Sequence, residues 1–396
     1  MKPIPEAHNL DLAQIRVIDA HCHPVSPLEE PLTVSSFERY ISLTFMEHNQ
    51  ISRARRRLVS DWPGDSFPRT TMLLNYLYRQ LAGFLNVSLD PVQIIEARNQ
   101  RAQDYAGYTR DLMTDAGIEQ LVVDSGFPGP RQDFEDFCQL VQIPVWEIVR
   151  TDRVMREVSK DVDEFGRFIA AYRARLDEGL RKPSCVGLKS EIAYLTGLNI
   201  GPEDTGEASK LYPAFRQNPT ARDHKALRDY CFHIGLQLCI EHNKPMQIHC
   251  GFGSDDIRLS LAAPHNLYEL LAFPPYSECL VVLVHGGYPW AKEAAYMTNV
   301  LPNVFLDFSE TCPLTAYGAS DTLWEIFQVA PINKVMYGSD AFLLPELFWL
   351  GTKLGRNAVN QVLSHLVDMD FVTKADALII ARHILHDNAV ELYQLS

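Results

Sequence analysis

The sequence predicts a (β/α)8 TIM barrel with a helical insertion after its first strand. Three observations predict it: short, almost fully apolar segments alternate with helical ones, eight such segments follow from Val17 onward, and polar residues end several of them. Short apolar strands separated by helices signal a parallel sheet covered on both faces, and eight units within 396 residues suit a barrel. A doubly wound open sheet is the alternative.

In order, the first strand is Val17-Ile18-Asp19-Ala20-His21-Cys22-His23-Pro24. Residues two apart on a strand share a face, so His21 and His23 project together and can grip a divalent ion. The plain alternative is a strand end that carries two polar residues. From about 25 to 118 no strand is evident, and three helices are expected: Ser35 to Leu58, Arg69 to Leu85, and Pro91 to Ala116. Asp61-Trp62-Pro63-Gly64 breaks the first, Asp90-Pro91 starts the third and Gly117 stops it. Arg53, Arg55, Arg56 and Arg57 form a basic cluster in the first, read as a solvated or ion-paired face.

Strands are then expected at 119–124, 143–149, 185–189, 245–249, 280–285, 304–307 and 334–340. Helices are expected at about 134–140, 161–181, 221–243, 259–272, 290–301 and 320–329, with two or three more to finish the chain. The stretch from Thr196 to Pro219, rich in Gly, Pro and Asn, reads as irregular. No internal repeat or low-complexity tract is present, so the expectation is one domain over 1–396 with an insert at about 25–118.

Composition narrows the function classes. With 46% hydrophobic and 22% charged residues the chain suits a globular protein with a large core. A net charge of −14 disfavours an extended nucleic-acid surface. No stretch reads as a signal peptide or a membrane span. The eight cysteines are scattered with no C-x-x-C pair, the usage of a reducing cytoplasm. Cys22 and Cys250 flank candidate ligands but fall on the opposite strand face, so both are expected to be packed thiols.

The strand ends carry the functional argument. His21 and His23 end strand one, Lys189 strand four, His249 strand five, His285-Gly286-Gly287 strand six and Ser339-Asp340 strand eight. In a barrel these ends meet at one face, where active sites form. A set of three histidines and one aspartate there suits zinc or a similar ion. Singly, His249 could cap a strand, His285 sit satisfied in the core, Asp340 cap a helix and Lys189 pair with Glu191. Their convergence favours the site.

The chain resembles the amidohydrolase superfamily, in its amidohydrolase-2 group, over nearly its whole length. The carriers are VIDAHCHP at 17–24, VGLKSEIAYLTGL at 186–198, PMQIHCGFGSDD at 245–256, LVHGGYPW at 283–290, NVFLDFSE at 303–310 and YGSD at 337–340. The long form is similar to the domain that precedes a glutamine-synthetase-like domain in fungal and plant fusions, and no such second domain is expected here. The resemblance implies that His21, His23 and His249 ligate metal, and that Asp340 ligates it and exchanges a proton with the attacking water. It implies that His285 polarises substrate or moves protons. Lys189 falls where two-metal members carry a carbamylated bridging lysine, so one or two ions of Zn²⁺, Mn²⁺ or Fe²⁺ are implied.

The chemistry that follows is hydrolysis of an amide or other C–N bond, because a bound cation lowers the pKa of water from about 16 towards about 7 and Asp340 can relay the proton. A γ-glutamyl-type amide is suggested by the fusion relatives alone. Arg258 is a candidate for a substrate carboxylate, with an ion pair to Asp255 or Asp256 as its alternative. Tyr194 and Tyr288, with Trp290, are candidate pocket walls or loop packing. A non-oxidative decarboxylase or lyase on the same site is the second reading, and a binding barrel without catalysis the third. We expect a cytoplasmic homo-oligomer acting on a small molecule, with no nucleic-acid or membrane partner. The insert is expected to form a lid or a subunit contact.

Overall fold

The structure is a computed structural model, and it describes residues 10–41, 71–127, 134–254 and 256–396. Eight parallel strands lie in sequence order: β1 Val17–Cys22, β2 Ile118–Asp124, β3 Val145–Arg150, β4 Cys185–Ser190, β5 Met246–His249, β6 Val281–Val284, β7 Val304–Asp307 and β8 Val335–Met336. The ring closes because Ala20 N–H donates to Tyr337 O at 3.0 Å and Asp340 N–H donates to His21 O at 2.8 Å. The predicted barrel is therefore the observed one.

Two apolar layers hold it. Inside the ring, Ile18, Ala20, Val122, Ile148, Val282, Val284 and Met336 pack together. The C-terminal helix Asn388–Tyr393 closes this interior with Ala389, Leu392 and Tyr393. Between the strands and the surrounding helices lies the larger layer, which includes Leu121, Leu188, Ile248, Leu283 and Leu306. Alternate strand residues thus face two different cores, as a barrel requires.

The insert between β1 and β2 carries helices Val34–Ile41, Met72–Leu85, Pro91–Arg101 and Tyr105–Ala116. The third expected helix is broken by a 3-10 turn at Ala102–Asp104, where Asp104 accepts from Gly107 N–H and caps the next helix. The rest of the first helix, its arginine cluster and the break at 61–64 lie outside the described residues. The described helices of the insert are anchored to the barrel. Arg98 Nε donates to Glu346 Oε1 at 2.6 Å, Tyr108 donates to the same oxygen at 3.0 Å, and Leu74, Leu77 and Ile94 join the outer core.

Three expectations change. The helix expected over 161–181 is Phe165–Leu180, which Glu164 caps by accepting from Gly166 and Arg167 N–H, and an unforeseen helix, Thr151–Asp161, precedes it and ends at the extended Val162. The supposedly irregular 196–219 contains the helix Thr205–Gln217, started by Asp204 and tolerant of Pro213 within it. Strand β8 pairs only at Val335–Met336: Tyr337 N–H turns to Ile384 O, and the backbone at Asp340 enters the left-handed region. All eight cysteines are free, and Cys22 and Cys250 are buried, as packed thiols are. Among the described residues no helix is long and apolar enough to cross a membrane.

Candidate metal centre

His21 and His23 leave the end of β1 on one face, and Asp340 meets them from the turn after β8. His21 Nε2 and His23 Nε2 each lie 3.1 Å from Asp340 Oδ1. The outward nitrogens set the proton positions. His21 Nδ1–H donates to Gln247 Oε1 at 2.8 Å, an oxygen identified because Gln247 Nε2 donates to Ala20 O and Tyr393 Oη. His23 Nδ1–H donates to the carbonyl of Asp124 at 3.1 Å. Each imidazole therefore turns its Nε2 towards the carboxylate. Two nitrogens and an oxygen converging on one point are the donor set a divalent cation takes, and Lys189 Nζ reaches His21 Nε2 at 3.2 Å. A two-imidazole, one-carboxylate set suits Zn²⁺, Fe²⁺ or Mn²⁺. The residues fit the ion.

A second pair sits beside the first. His249 Nε2–H donates to Phe252 O at 2.9 Å, leaving Nδ1 as its acceptor. Ser309 donates to Asp307 Oδ1 at 2.5 Å, so its oxygen accepts from His285 Nδ1–H at 3.0 Å. His249 Nδ1 and His285 Nε2 then face each other at 2.9 Å. Burial drives the His249 pKa down to about 4 and that of His285 well below the usual imidazole value, the latter helped by His249. His249 thus stands next to His285 and is not one of the three groups converging on the His21–His23–Asp340 point.

Three residues of the centre have left-handed backbones without being glycine: His285 at φ 73°, Glu310 at φ 55° and Asp340 at φ 54°. Such conformations are sparsely populated by side-chain-bearing residues and concentrate at functional sites. Here they end β6, β7 and β8 and turn the three side chains inward.

Carboxylates outnumber fixed cations around this point. Asp124 is held by Arg150 through Nε at 2.9 Å and Nη2 at 2.5 Å. Burial opposes its charge, but the guanidinium outweighs burial and keeps Asp124 well below the usual carboxylate range. Glu191 is likewise lowered to about 2, against burial, by Arg150 and Lys189. Lys189 Nζ lies 3.3 Å from Glu191 Oε1, the pairing weighed from the sequence. Asp340 stays ionised despite burial, because His285, His21 and His23 surround it. Glu310 is pushed well above the usual range by burial and by Asp340. Asp19, deeper in the barrel, rises to about 7 by burial although Ser339 and His21 donate to it.

The aromatic and basic candidates fare differently. Tyr194 lies against His249, ring centroids 4.5 Å apart, and accepts from Ser254 N–H. Tyr288 is one row back, its ring edge-on to Phe252 at 5.3 Å, while Phe252 faces His285. Arg258 is exposed at the start of the short helix Leu259–Ala262 and makes no polar contact with the centre among the described residues. The chain reverses at Gly251, φ 85°, and carries it away; Asp256 meets Arg222 instead. Sequence reasoning missed Gln247, Asp19, Asp307, Arg150, Glu191's pairing with Arg150, and Glu310. Gln247 sits two residues before His249 on the same strand face, which the strand period could have shown, whereas the register of β1 shifts between Asp19 and Cys22 and hides the place of Asp19.

With this geometry in view, comparison with known proteins is informative. The amidohydrolase family model matches residues 18–395. Protein fluG of Emericella nidulans is 28% identical over 414 residues, covering 96% of this chain and 46% of the relative. The chain spans about half the length of that curated relative. Among solved structures, a Lactobacillus casei protein assigned as a metal-dependent hydrolase is 24% identical, with a TM-score of 0.83 and 96% of each chain covered. Uronate isomerase from Thermotoga maritima is 14% identical, with a TM-score of 0.68, 96% of this chain and 95% of that one. At these identities the structural likenesses speak for the barrel alone. The family match over nearly the whole chain goes further: the chain belongs to the amidohydrolase-2 family, and the His21–His23–Asp340 cluster is its candidate metal site.

Proposed function

We propose that this protein is a metal-dependent hydrolase that cleaves an amide or other C–N bond of a small molecule. The observation that carries the reading is the convergence of His21 Nε2 and His23 Nε2 on Asp340 Oδ1 at 3.1 Å, with both outer nitrogens held from behind. When bound there, a divalent cation supplies Lewis acidity and makes water acidic near neutral pH. His21, His23 and Asp340 would hold it.

The rest is done by side chains. Asp340 keeps its charge in this setting, and its second oxygen makes no hydrogen bond among the described residues, so it can accept the proton of the attacking water and return it to the leaving nitrogen. His285, with Nδ1 fixed by Ser309, turns Nε2 inward as an acceptor that can orient the attacking water. Lys189 lies within the centre as an ammonium balanced by Glu191. Tyr194 walls the pocket beside His249. A γ-glutamyl-type amide is the substrate to try first, by analogy with the domain that precedes a glutamine-synthetase-like domain in fusion proteins.

Glu310 favours a second reading. A buried carboxyl that keeps its proton can protonate a carbon as CO₂ leaves, which is non-oxidative decarboxylation. The test is to strip the protein of metal, restore Zn²⁺, Mn²⁺ or Fe²⁺ separately, and assay a panel of γ-glutamyl and other amides beside aromatic and aliphatic carboxylates. Metal-restored release of acid and amine is expected. Metal-restored CO₂ without amine would replace hydrolysis by the second reading, and no metal-dependent product would remove both.

A further inference from the structure

At the N-terminal ends of β1 and β2, opposite the face that carries His21 and His23, lies a cleft of about 470 Å³. Arg16 leads into β1 and Asp115 lies in the segment that leads into β2. The helix Met72–Leu85 adds Tyr76 and Gln80, and the helix Glu346–Asp368 adds Lys353 and Arg356.

In a chain of net charge −14 this cleft is basic. Lys353 Nζ lies 2.9 Å from Asp115 Oδ2, so these two neutralise each other. Asp115 is the sole carboxylate in the lining among the described residues. The guanidinium charges of Arg16 and Arg356 are left over, and no described carboxylate comes within ion-pair distance of either.

The two arginines are held differently. Arg356 is a clamp: its Nη1 donates to the carbonyls of Leu12 and Ile15, the latter at 2.8 Å, and its Nη2 donates to that of Ala116 at 2.9 Å. Carbonyls occupy its protons without cancelling its charge. Burial lowers its pKa from the usual guanidinium value, and the charge of Arg16 lowers it further. Arg16 is exposed and makes no hydrogen bond or ion pair among the described residues. The half-buried side chains of Tyr76 and Gln80 make no hydrogen bond there either. Two uncancelled charges and three unused donor groups thus face one cavity.

A carboxylate would cancel one of those charges. A phosphate group brings about two charges and three acceptor oxygens, and guanidinium N–H groups bind it in pairs. We propose that this cleft binds a phosphate dianion, free or borne by a small phosphomonoester, with Arg16 as its principal ligand and Tyr76 and Gln80 as neutral donors. The length of β1 separates this cleft from His21 and His23, so the proposal does not depend on the metal-dependent reading.

The test is calorimetric titration of the protein as purified with inorganic phosphate and with ribose 5-phosphate, ribose serving as the uncharged control. Saturable binding of at least one of the two anions is expected, and none of ribose. Tighter binding of ribose 5-phosphate assigns the site to an ester, and tighter binding of phosphate assigns it to the free anion. Arg16→Gln, at a side chain that nothing holds, is expected to weaken binding about 10–100-fold through loss of charged hydrogen bonds. Gln80→Glu sets a carboxylate against the anion and is expected to abolish binding, which keeps the test open should the first variant not fold. Arg175→Gln, at an exposed arginine outside the cleft, is expected to bind as the wild type does. No binding of either anion by the wild type, binding that survives both cleft variants, or an equal loss in Arg175→Gln would overturn the site.

Discussion

Gln247→Met tests whether the barrel interior sets the metal affinity from behind. Gln247 touches no candidate substrate position. It accepts from His21 Nδ1–H at 2.8 Å and donates to Ala20 O at 2.9 Å and to Tyr393 Oη at 2.8 Å. Methionine has similar length and no hydrogen bonds, so the change removes the chemistry and keeps the volume. His21 then loses the acceptor that fixes its tautomer, and Nε2 can carry the proton and be lost as a ligand. Loss of such a supporting partner weakens metal binding about 10–100-fold, or about 1.4–2.8 kcal/mol. Separately, leaving buried partners unpaired costs about 1–3 kcal/mol each, so the metal-free protein should lose roughly 3 kcal/mol or more. Affinity is read by competition with a chromophoric chelator, and stability by urea unfolding of the metal-free form. A destabilised variant whose metal affinity stays within about twofold of wild type, far short of the expected loss, would refute the tautomer argument.

Other predictions follow from the charged groups. Asp19 has its pKa raised from 3.8 to about 7, so the folded state binds that proton more tightly than the unfolded chain. Its contribution is greatest below the unfolded value and falls by about 4 kcal/mol as pH rises through 7; Asp19→Asn should flatten that part of the metal-free protein's pH–stability curve, and an unchanged slope would count against it. Glu191 has the opposite sign, lowered from 4.5 to about 2. Its stabilisation is present above the unfolded value and is lost, about 3 kcal/mol, as pH falls towards 2; acid unfolding of Glu191→Gln should lack this loss. Arg98→Met leaves Glu346 buried without its partner, which should cost about 3–5 kcal/mol; a change under about 1 kcal/mol, the range of surface pairs, would show that the insert is not anchored there.

The barrel was legible because its signals are local and repeated. Segments such as LVVLVH at 280–285 have an unbroken apolar pattern that only a strand covered on both faces explains. The candidate ligands His21, His23 and Asp340 were legible because they end such segments, and strand ends meet at one face of a barrel. Helix Thr205–Gln217 was hidden because its Gly, Pro and Asn surroundings outweigh a start signal that depends on Asp204 alone. Glu310 and Arg150 were hidden for a different reason. Neither has a periodicity that marks it, and each acquires its role through a residue distant in sequence, Asp340 for one and Asp124 for the other. Arg258 lies exposed and apart from the centre, because nearness in sequence to His249 does not carry it inward once the backbone turns at Gly251.

The account's central claim is that His21, His23 and Asp340 hold a divalent cation on which activity depends. It is tested most directly by elemental analysis of the purified protein beside the Asp340→Asn and His23→Ala variants, after dialysis against metal-free buffer. The account predicts stoichiometric zinc, manganese or iron in the wild type and loss of the His21–His23 ion from both variants, which remain folded. Wild-type protein that is folded and active but free of metal, or variants that keep the full complement, would contradict it.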